Sequence, residues 1–324
     1  MVTRKVLVTG IGGNVGQGIL RNIKHTQYPI TIIGTDISKM SAGNHLVDVF
    51  YEVPFSYEEK YIDTIVEIVL KEKVDLIIPS TDYEMFYLSI HQNSFSCKIA
   101  SSGPLPAKIY LDKYLTAQYH KEKGIPFVES CLPSLYKGQY DNAIAKPRKG
   151  RGSRGLIKYL KSAEGLSDEE YLVQRLCEGV EITTAVYVSY KTGNFHGLIT
   201  MERSLENGAT TFCKVIKEYD CEMEKIAFEM IKFSNLKGAF NIQSIVTKDG
   251  KIFPFEINCR ISGTNSIRSH FGFTDVKYTL DELLYDQLPE TVNILTGTAY
   301  RYLADIIYPA GISSGNNMDN FILF

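Results

Sequence analysis

Residues 5–9 read KVLVT, residues 30–36 read ITIIGTD and residues 74–80 read VDLIIPS, three short runs in which apolar residues do not alternate with polar ones. A strand that is apolar on both sides must be covered on both faces, which restricts it to the interior of a parallel sheet flanked by helices. Helical stretches lie between the runs. One opens at the glycines after Thr9 and covers about residues 15–23. Another covers about residues 58–71, with Ile62, Ile65, Val66 and Val69 at helical spacing. The alternation continues to KIASSG at 98–103, so residues 1–103 are expected to form a small parallel α/β domain with helices on both faces.

After Gly103 and Pro104 the pattern changes. A helix containing Asp112, Lys113, Thr116 and Gln118 is expected to stop at Gly124-Ile125-Pro126. Antiparallel strands then follow, with hairpin turns at residues 191–194 and at Lys248-Asp249-Gly250, and a helix near residues 221–234. This is an α+β unit following an α/β one. A length of 324 residues needs more than one core in any case.

The glycines of residues 9–16 (TGIGGNVG) follow a strand and open a helix, where backbone can approach a phosphate closely. Asp36, ending the next strand, is placed to meet a ribose. The spacing also resembles the TGxxGxxG fingerprint of NAD-dependent short-chain dehydrogenases and epimerases, and the chain has two Tyr-xxx-Lys pairs, Tyr119/Lys123 and Tyr187/Lys191. With 21 tyrosines such pairs arise by chance. Substrate binding and tight packing of the first helix on the sheet are the other readings of the same glycines.

Residues 145–155 (AKPRKGRGSRG) form a second, basic glycine cluster. Its backbone N–H groups can wrap phosphate oxygens while Lys146 supplies a point charge, and it is not a Walker A loop. A flexible basic loop is the bland alternative. Downstream, residues 171–181 (YLVQRLCEGVE) read as a strand whose edge could meet an adenine, with Glu181 placed for a ribose. On two later strands Asn241 and Gln243 share a face, as do Glu256, Asn258 and Arg260. Oxygen donors of this kind suit Mg²⁺. A solvated sheet face is the alternative, and Phe253, Phe255 and Ile257 read as the packed side.

In this order and spacing, DK…T…GIP (112–126), KPxxGRGSRG (146–155), VQ…EGxE (173–181), FNIQ (240–243) and EINCR (256–260) resemble the ATP-grasp superfamily. They are most similar to its carbamoyl-phosphate-synthase-like branch, which includes the pyrrolysine-biosynthesis ligase. The resemblance implies a Rossmann-like domain over 1–103, an ATP-grasp small subdomain over 104–180 and a C-terminal subdomain over 181–324. It implies that Lys113 and Lys146 bind ATP phosphates under a loop containing Gly150, Gly152, Ser153 and Gly155. Gln174, Arg175 and Leu176 would meet the adenine and Glu181 the ribose. Gln243, Glu256 and Asn258 would hold Mg²⁺, with Mn²⁺ as a substitute. Arg260 would stabilise the transferring phosphoryl group, with Lys146 beside it in catalysis. Gly12, Gly13, Asn14, Thr81 and Asp82 would contact substrate. The implied activity is an ADP-forming carboxylate–amine ligase. The alternatives are an ATP-binding half of a larger synthase, with or without turnover of its own, and an NAD enzyme.

Composition sets the remaining bounds. A net charge of −2 gives no field for nucleic acid or an anionic membrane. The partners that the resemblance implies are a small carboxylate and a small amine, with a homodimer as the family's suggestion. Six scattered cysteines argue against a zinc site or a disulfide framework. Without a signal-like or membrane-length apolar segment the expected location is cytoplasmic. Arg203 and Arg268 are carboxylate anchors or ordinary surface charges.

Overall fold

The computed structural model describes residues 2–150, 155–206, 208–308 and 321–323. The first unit comprises β1 (Arg4–Val8), α1 (Asn14–His25), β2 (Ile30–Asp36), β3 (Val49–Glu52), α2 (Tyr61–Glu72), β4 (Leu76–Ile78), α3 (Asp82–Ile90) and β5 (Lys98–Ile99). Its strands make one parallel sheet in the order β3-β2-β1-β4-β5. The order reverses between β1 and β4. The loops leaving those two strands therefore border a crevice at the carboxyl edge, where open α/β sheets bind ligands.

Alternate residues of each strand serve different layers. Leu7, Ile33 and Ile77 pack against Tyr61, Ile65 and Ile68 of α2, whereas Val6, Val8 and Ile78 join Ile19, Leu20 and Ile23 of α1. Helix α2 starts three residues later than its periodicity suggests, because a turn from Glu58 to Tyr61 precedes it.

The helix expected around Asp112 is two helices, α4 (Pro104–Leu111) and α5 (Lys113–Lys123). Asp112 lies between them in extended backbone, and its carboxylate accepts hydrogen bonds from the N–H groups of Tyr114 and Leu115. Aspartate is a strong N-cap, and here capping wins over helix continuation. Strands β6 (Ser130–Cys131), β7 (Ala143–Pro147), β8 (Ile157–Lys158) and β9 (Tyr171–Arg175) follow as a small antiparallel sheet ordered β6-β9-β7-β8.

The elements of the larger sheet and the helices with it are β10 (Val180–Val188), β11 (Phe195–Glu206), β12 (Ala209–Ile216), α6 (Asp220–Ser234), β13 (Gly238–Val246), β14 (Ile252–Asn258), α7 (Asn265–Arg268), α8 (Asp275–Leu284) and β15 (Thr298–Tyr300). Their strands form a six-stranded antiparallel sheet, β14-β13-β10-β11-β12-β15. Its outer face buries Ile182, Val186, Phe240 and Ile242 beneath Met223, Ile226 and Met230 of α6. Its inner face contributes Ala185, Tyr187, Ile199, Met201 and Val215 to the same core as α1 and the first sheet. Further along the inner face the apolar residues give way to Thr183, Glu181 and Arg203, so one face is half core and half cleft.

The loop after β14 is sewn to α1. Asn265 donates to the Val15 carbonyl at 3.2 Å, and Asn22 donates to the Asn265 side chain at 3.1 Å. A Cβ on Gly18 would lie 2.3 Å from Asn265 Oδ1, which is why α1 carries glycine there.

Arg268 belongs to this join and not to a substrate site. It is 1% exposed, its guanidinium pairs with Asp275, and it donates to the hydroxyls of Ser262 at 2.8 Å and Thr264 at 2.9 Å. Its expected role as a carboxylate anchor is thereby overturned. Removing one partner of a buried pair strands the other charge, so Arg268→Ala is expected to lower stability by about 3–5 kcal/mol in urea unfolding.

Candidate active site

Two lysines from different secondary-structure elements converge. Lys113, the first residue of α5, sends Nζ to the Gly150 carbonyl at 3.1 Å and lies 3.7 Å from Glu256 Oε2. Lys146 on β7 is 7% exposed and rests 4.5 Å from the centre of the Phe255 ring. Burial pushes its pKa down to about 8, opposed by Glu256 and reinforced by Lys113. Two cations held this close without a full set of counter-charges make a receptor for an anion.

The base of the basic glycine loop is fastened beside them. Arg148 forks onto the Asp112 carboxylate at 2.7 and 3.1 Å, and the Lys113 N–H donates to the Arg148 carbonyl at 3.0 Å. Gly155 needs its left-handed backbone (φ +71°). Gly152 and Ser153 lie outside the described residues.

Gln243 on β13 faces Glu256 on β14, and Asn241 faces Asn258. A continuous chain of contacts results: Glu181 accepts from Arg203 at 2.6 and 2.8 Å, Arg203 donates to Gln243 Oε1 at 2.6 Å, and Gln243 Nε2 donates to Asn258 Oδ1 at 2.9 Å. Asn258 Nδ2 reaches Glu256 at 3.4 Å. Arg203, a candidate substrate anchor, is therefore tied to the residues expected at the ribose and the metal. The oxygens of Gln243, Glu256 and Asn258 fit a hard divalent cation, but they include only one carboxylate. Among the described residues no group of three or more His, Cys, Asp or Glu could hold a metal, so a cation here would need phosphate oxygens as further ligands. Asn241 is buried against Thr183 and Ser262 instead of joining this set.

Phe253 and Phe255 are not the packed side of β14. Both are half-buried, under Arg175 at 4.6 Å and Lys146 at 4.5 Å respectively, and only Ile257 enters the core. The adenine wall also differs from expectation. Strand β9 is interior to its sheet, Gln174 is turned inward to Ser130 Oγ at 3.1 Å, and the N–H groups of Arg175 and Leu176 are taken by the carbonyls of Glu129 and Asn142. These three residues cannot offer a free strand edge. They form a wall, of which the Arg175 guanidinium over Phe253 is the exposed part.

The crevice of the parallel sheet faces this cleft. Arg260 donates to Asp82 Oδ2 at 2.6 Å and to the Ile261 carbonyl at 3.0 Å, while its buried Nε has no partner among the described residues. Asp82 opens α3. Thr81 is committed to capping that helix, since its hydroxyl and Glu84 exchange hydrogen bonds in a capping box, so a substrate contact through this hydroxyl is overturned. Gly12 is likewise engaged at both ends, with its N–H on Asp36 at 2.7 Å and its carbonyl accepting from Gln17 at 2.9 Å. Gly13 donates to the Gly10 carbonyl at 3.2 Å, and Asn14 is exposed at the start of α1. Because Asp36 caps its own glycine loop, the acid that NAD ribose would need is occupied. Tyr187 is buried on Glu282, and Tyr119 donates to the Phe233 carbonyl, so neither Tyr-xxx-Lys pair serves the glycine loop.

Asp82, Tyr83, Lys113, Gly150, Glu256 and Asn258 line a narrow cavity of about 20 Å³. A larger groove of about 840 Å³ lies on the small sheet's subdomain, lined by residues 133–138 and 161–169. It contains none of these groups, and chemistry decides for the smaller one.

Family models place these features. A PylC-like N-terminal domain model matches residues 6–100 and an ATP-grasp domain model matches residues 110–264. The chain belongs to the ATP-grasp superfamily. No curated protein sequence matches this ATP-grasp chain. Among solved structures it is similar to N5-carboxyaminoimidazole synthetase from Staphylococcus aureus complexed with ADP, at TM-score 0.72 and 15% identity, covering 93% of this chain and 82% of that one. The biotin carboxylase domain of Hydrogenobacter thermophilus 2-oxoglutarate carboxylase, at 0.71 and 15%, covers 91% and 73%. The L-amino acid ligase of Bacillus licheniformis, at 0.69 and 13%, covers 87% and 74%. At these identities the likeness concerns fold: a parallel-sheet N-terminal domain followed by antiparallel ATP-grasp subdomains.

Sequence reasoning passed over the Asp112–Arg148 clamp and the Phe253 and Phe255 platforms. The signal for the clamp was an acid directly before Lys113 and an arginine two residues after Lys146.

The depressed Lys146 pKa gives a pH dependence. Between about pH 8 and the ordinary 10.5, the unfolded chain holds more protons than the fold, so the ligand-free protein gains stability as pH rises through that window. An anion held by Lys146 needs the charged lysine, so affinity for a polyphosphate such as ADP, if it is held there, is expected to fall by up to about tenfold per pH unit above pH 8. Titration calorimetry across pH 7–10 reads this, and Lys146→Met is expected to flatten the profile.

Proposed function

We propose that this ATP-grasp protein is an ADP-forming ligase that activates a small carboxylate with ATP and joins it to an amine. The observation that carries this reading is the convergence of Lys113, Lys146, the Gln243–Glu256–Asn258 oxygen set and Arg260 on one cleft.

In this reading Lys113 and Lys146 neutralise phosphate oxygens, and the loop that includes Gly150, Gly152, Ser153 and Gly155 covers them. Glu181 takes the ribose hydroxyls, exchanging part of its contact with Arg203. Gln243, Glu256 and Asn258 would hold Mg²⁺, or Mn²⁺ in its place, which would supply charge neutralisation to the polyphosphate. A carboxylate oxygen attacks the γ-phosphorus as the bond to the bridging oxygen breaks, and ADP keeps that electron pair. Arg260 stabilises the charge on the transferring group with donors that are already in place. The amine then attacks the acyl carbon, phosphate leaves with the electrons of the C–O bond, and the proton that the nitrogen loses passes to the departing phosphate. No side chain needs to act as a nucleophile; positioning and exclusion of water do the work. The ADP complex of the Staphylococcus synthetase and the ligase activity named for the Bacillus relative support this reading.

A screen of amino acids and sugar acids as carboxylates, with amines, for ADP release from Mg·ATP tests it. If no pair stimulates ADP release while NAD binds tightly, the proposal is wrong. Glu256→Ala is expected to lower turnover by about 10²- to 10³-fold with an unchanged urea midpoint; undiminished turnover would remove the metal assignment.

A further inference from the structure

Arg301 follows β15 and continues its ladder, with its N–H on the Thr211 carbonyl at 2.8 Å. Ala299 pairs with Cys213, and Cys213 pairs with Arg203. Alternation therefore puts Arg301, Cys213 and Arg203 on the inner face of the six-stranded sheet, the face that becomes the cleft. The guanidinium reaches back to the loop that follows Arg260. Its Nη2 donates to the Gly263 carbonyl at 2.9 Å and lies 3.5 Å from Ser266 Oγ. Gly263 in turn abuts α1, since a Cβ on it would be 4.0 Å from Val15.

The charge environment is unusual. Arg4, Arg148, Arg175, Arg203, Arg260 and Arg268 each pair with a carboxylate. Arg301 is half-buried and has no carboxylate partner among the described residues, and its Nε and Nη1 make no hydrogen bond to them. Burial holds its pKa below the ordinary arginine value, and the like charge of Arg21 acts in the same direction against the Cys213 thiol. Arginine keeps its proton regardless, so the guanidinium is a half-buried cation with donors to spare beside the loop that follows Arg260. Unused donors on a half-buried cation favour an anion.

We infer that Arg301 anchors a second anionic group of the substrate, a carboxylate or a phosphate remote from the reacting centre, by a forked pair of charge-assisted hydrogen bonds. Calling the bound molecule a substrate rests on the ligase reading; the anion subsite does not. Gly263 is three residues from Arg260, so their Cα atoms are within roughly 11 Å. That reach suits a molecule the size of an amino acid or a phosphorylated amine.

The test compares matched pairs on the Mg·ADP-loaded protein by thermal shift and calorimetry: amino acids against their amides, and phosphoethanolamine against ethanolamine. Anionic members are expected to bind about 10- to 100-fold more tightly than neutral ones, and Arg301→Gln is expected to erase that preference while ADP affinity, the control for folding, is retained. Arg301→Lys should recover part of it. The carboxylate and phosphate arms identify the source of the anion. Equal binding of charged and neutral members, or a preference that survives Arg301→Gln, overturns the subsite. Loss of ADP affinity in Arg301→Gln also overturns it, by making the residue structural. ADP release from ATP is read separately, so a failure of the ligase reading does not pass for a failure of the anchor.

Discussion

One shared hydrophobic core sets the geometry of this molecule. Val6, Val8 and α1 of the parallel domain are packed into the same cluster as Ala185, Tyr187, Met201 and Val215 of the six-stranded sheet. Close-packed interiors resist deformation, so the crevice of one domain is held at a fixed distance from the polar end of the other. The Asp82–Arg260 contact across the cleft and the Asn265 bonds to α1 depend on that fixed seat. The large sheet can spend one face on both packing and chemistry because residue type changes along each strand while the alternation does not.

Electrostatics explains why the polar end holds together. Lys146 and Lys113 repel each other and are tolerated through Glu256, Glu181 and the ring of Phe255. The carboxamides of Gln243 and Asn258 link the acids without adding charge, which keeps the set receptive to a cation and a polyphosphate together.

Much of this was readable from the residues because it is local. The unalternating runs specified buried parallel strands, and the alternation of Gln243 and of Glu256 with Asn258 specified which side chains share a face across one hairpin. Apart from Arg268, whose partners lie within seven residues of it, the failures share a cause: each concerned a partner distant in sequence or a competition between two good local choices. Asp112 could continue a helix or cap one, and Arg148, 36 residues away, helps to favour the cap. Arg268 looks like a surface charge until Asp275, Ser262 and Thr264 enclose it. Gln174 was expected at an edge, but β6 and β7 flank its strand. Phe253 and Phe255 fit the pattern of core residues, and nothing local announces that a lysine and an arginine will lie on them.

The contacts of Lys113 with Gly150, of Glu181 with Arg203 and of Arg260 with Asp82 have one property in common. Each satisfies, within the protein, a group that the reaction would call on. Such a site binds by exchange: every ligand group displaces an internal competitor, and only the difference between the two appears as affinity. A fragment that replaces one contact gains little, whereas a ligand that replaces several at once gains them all. Selectivity for a complete set of reactants would then arise in part from the resting state of the site itself.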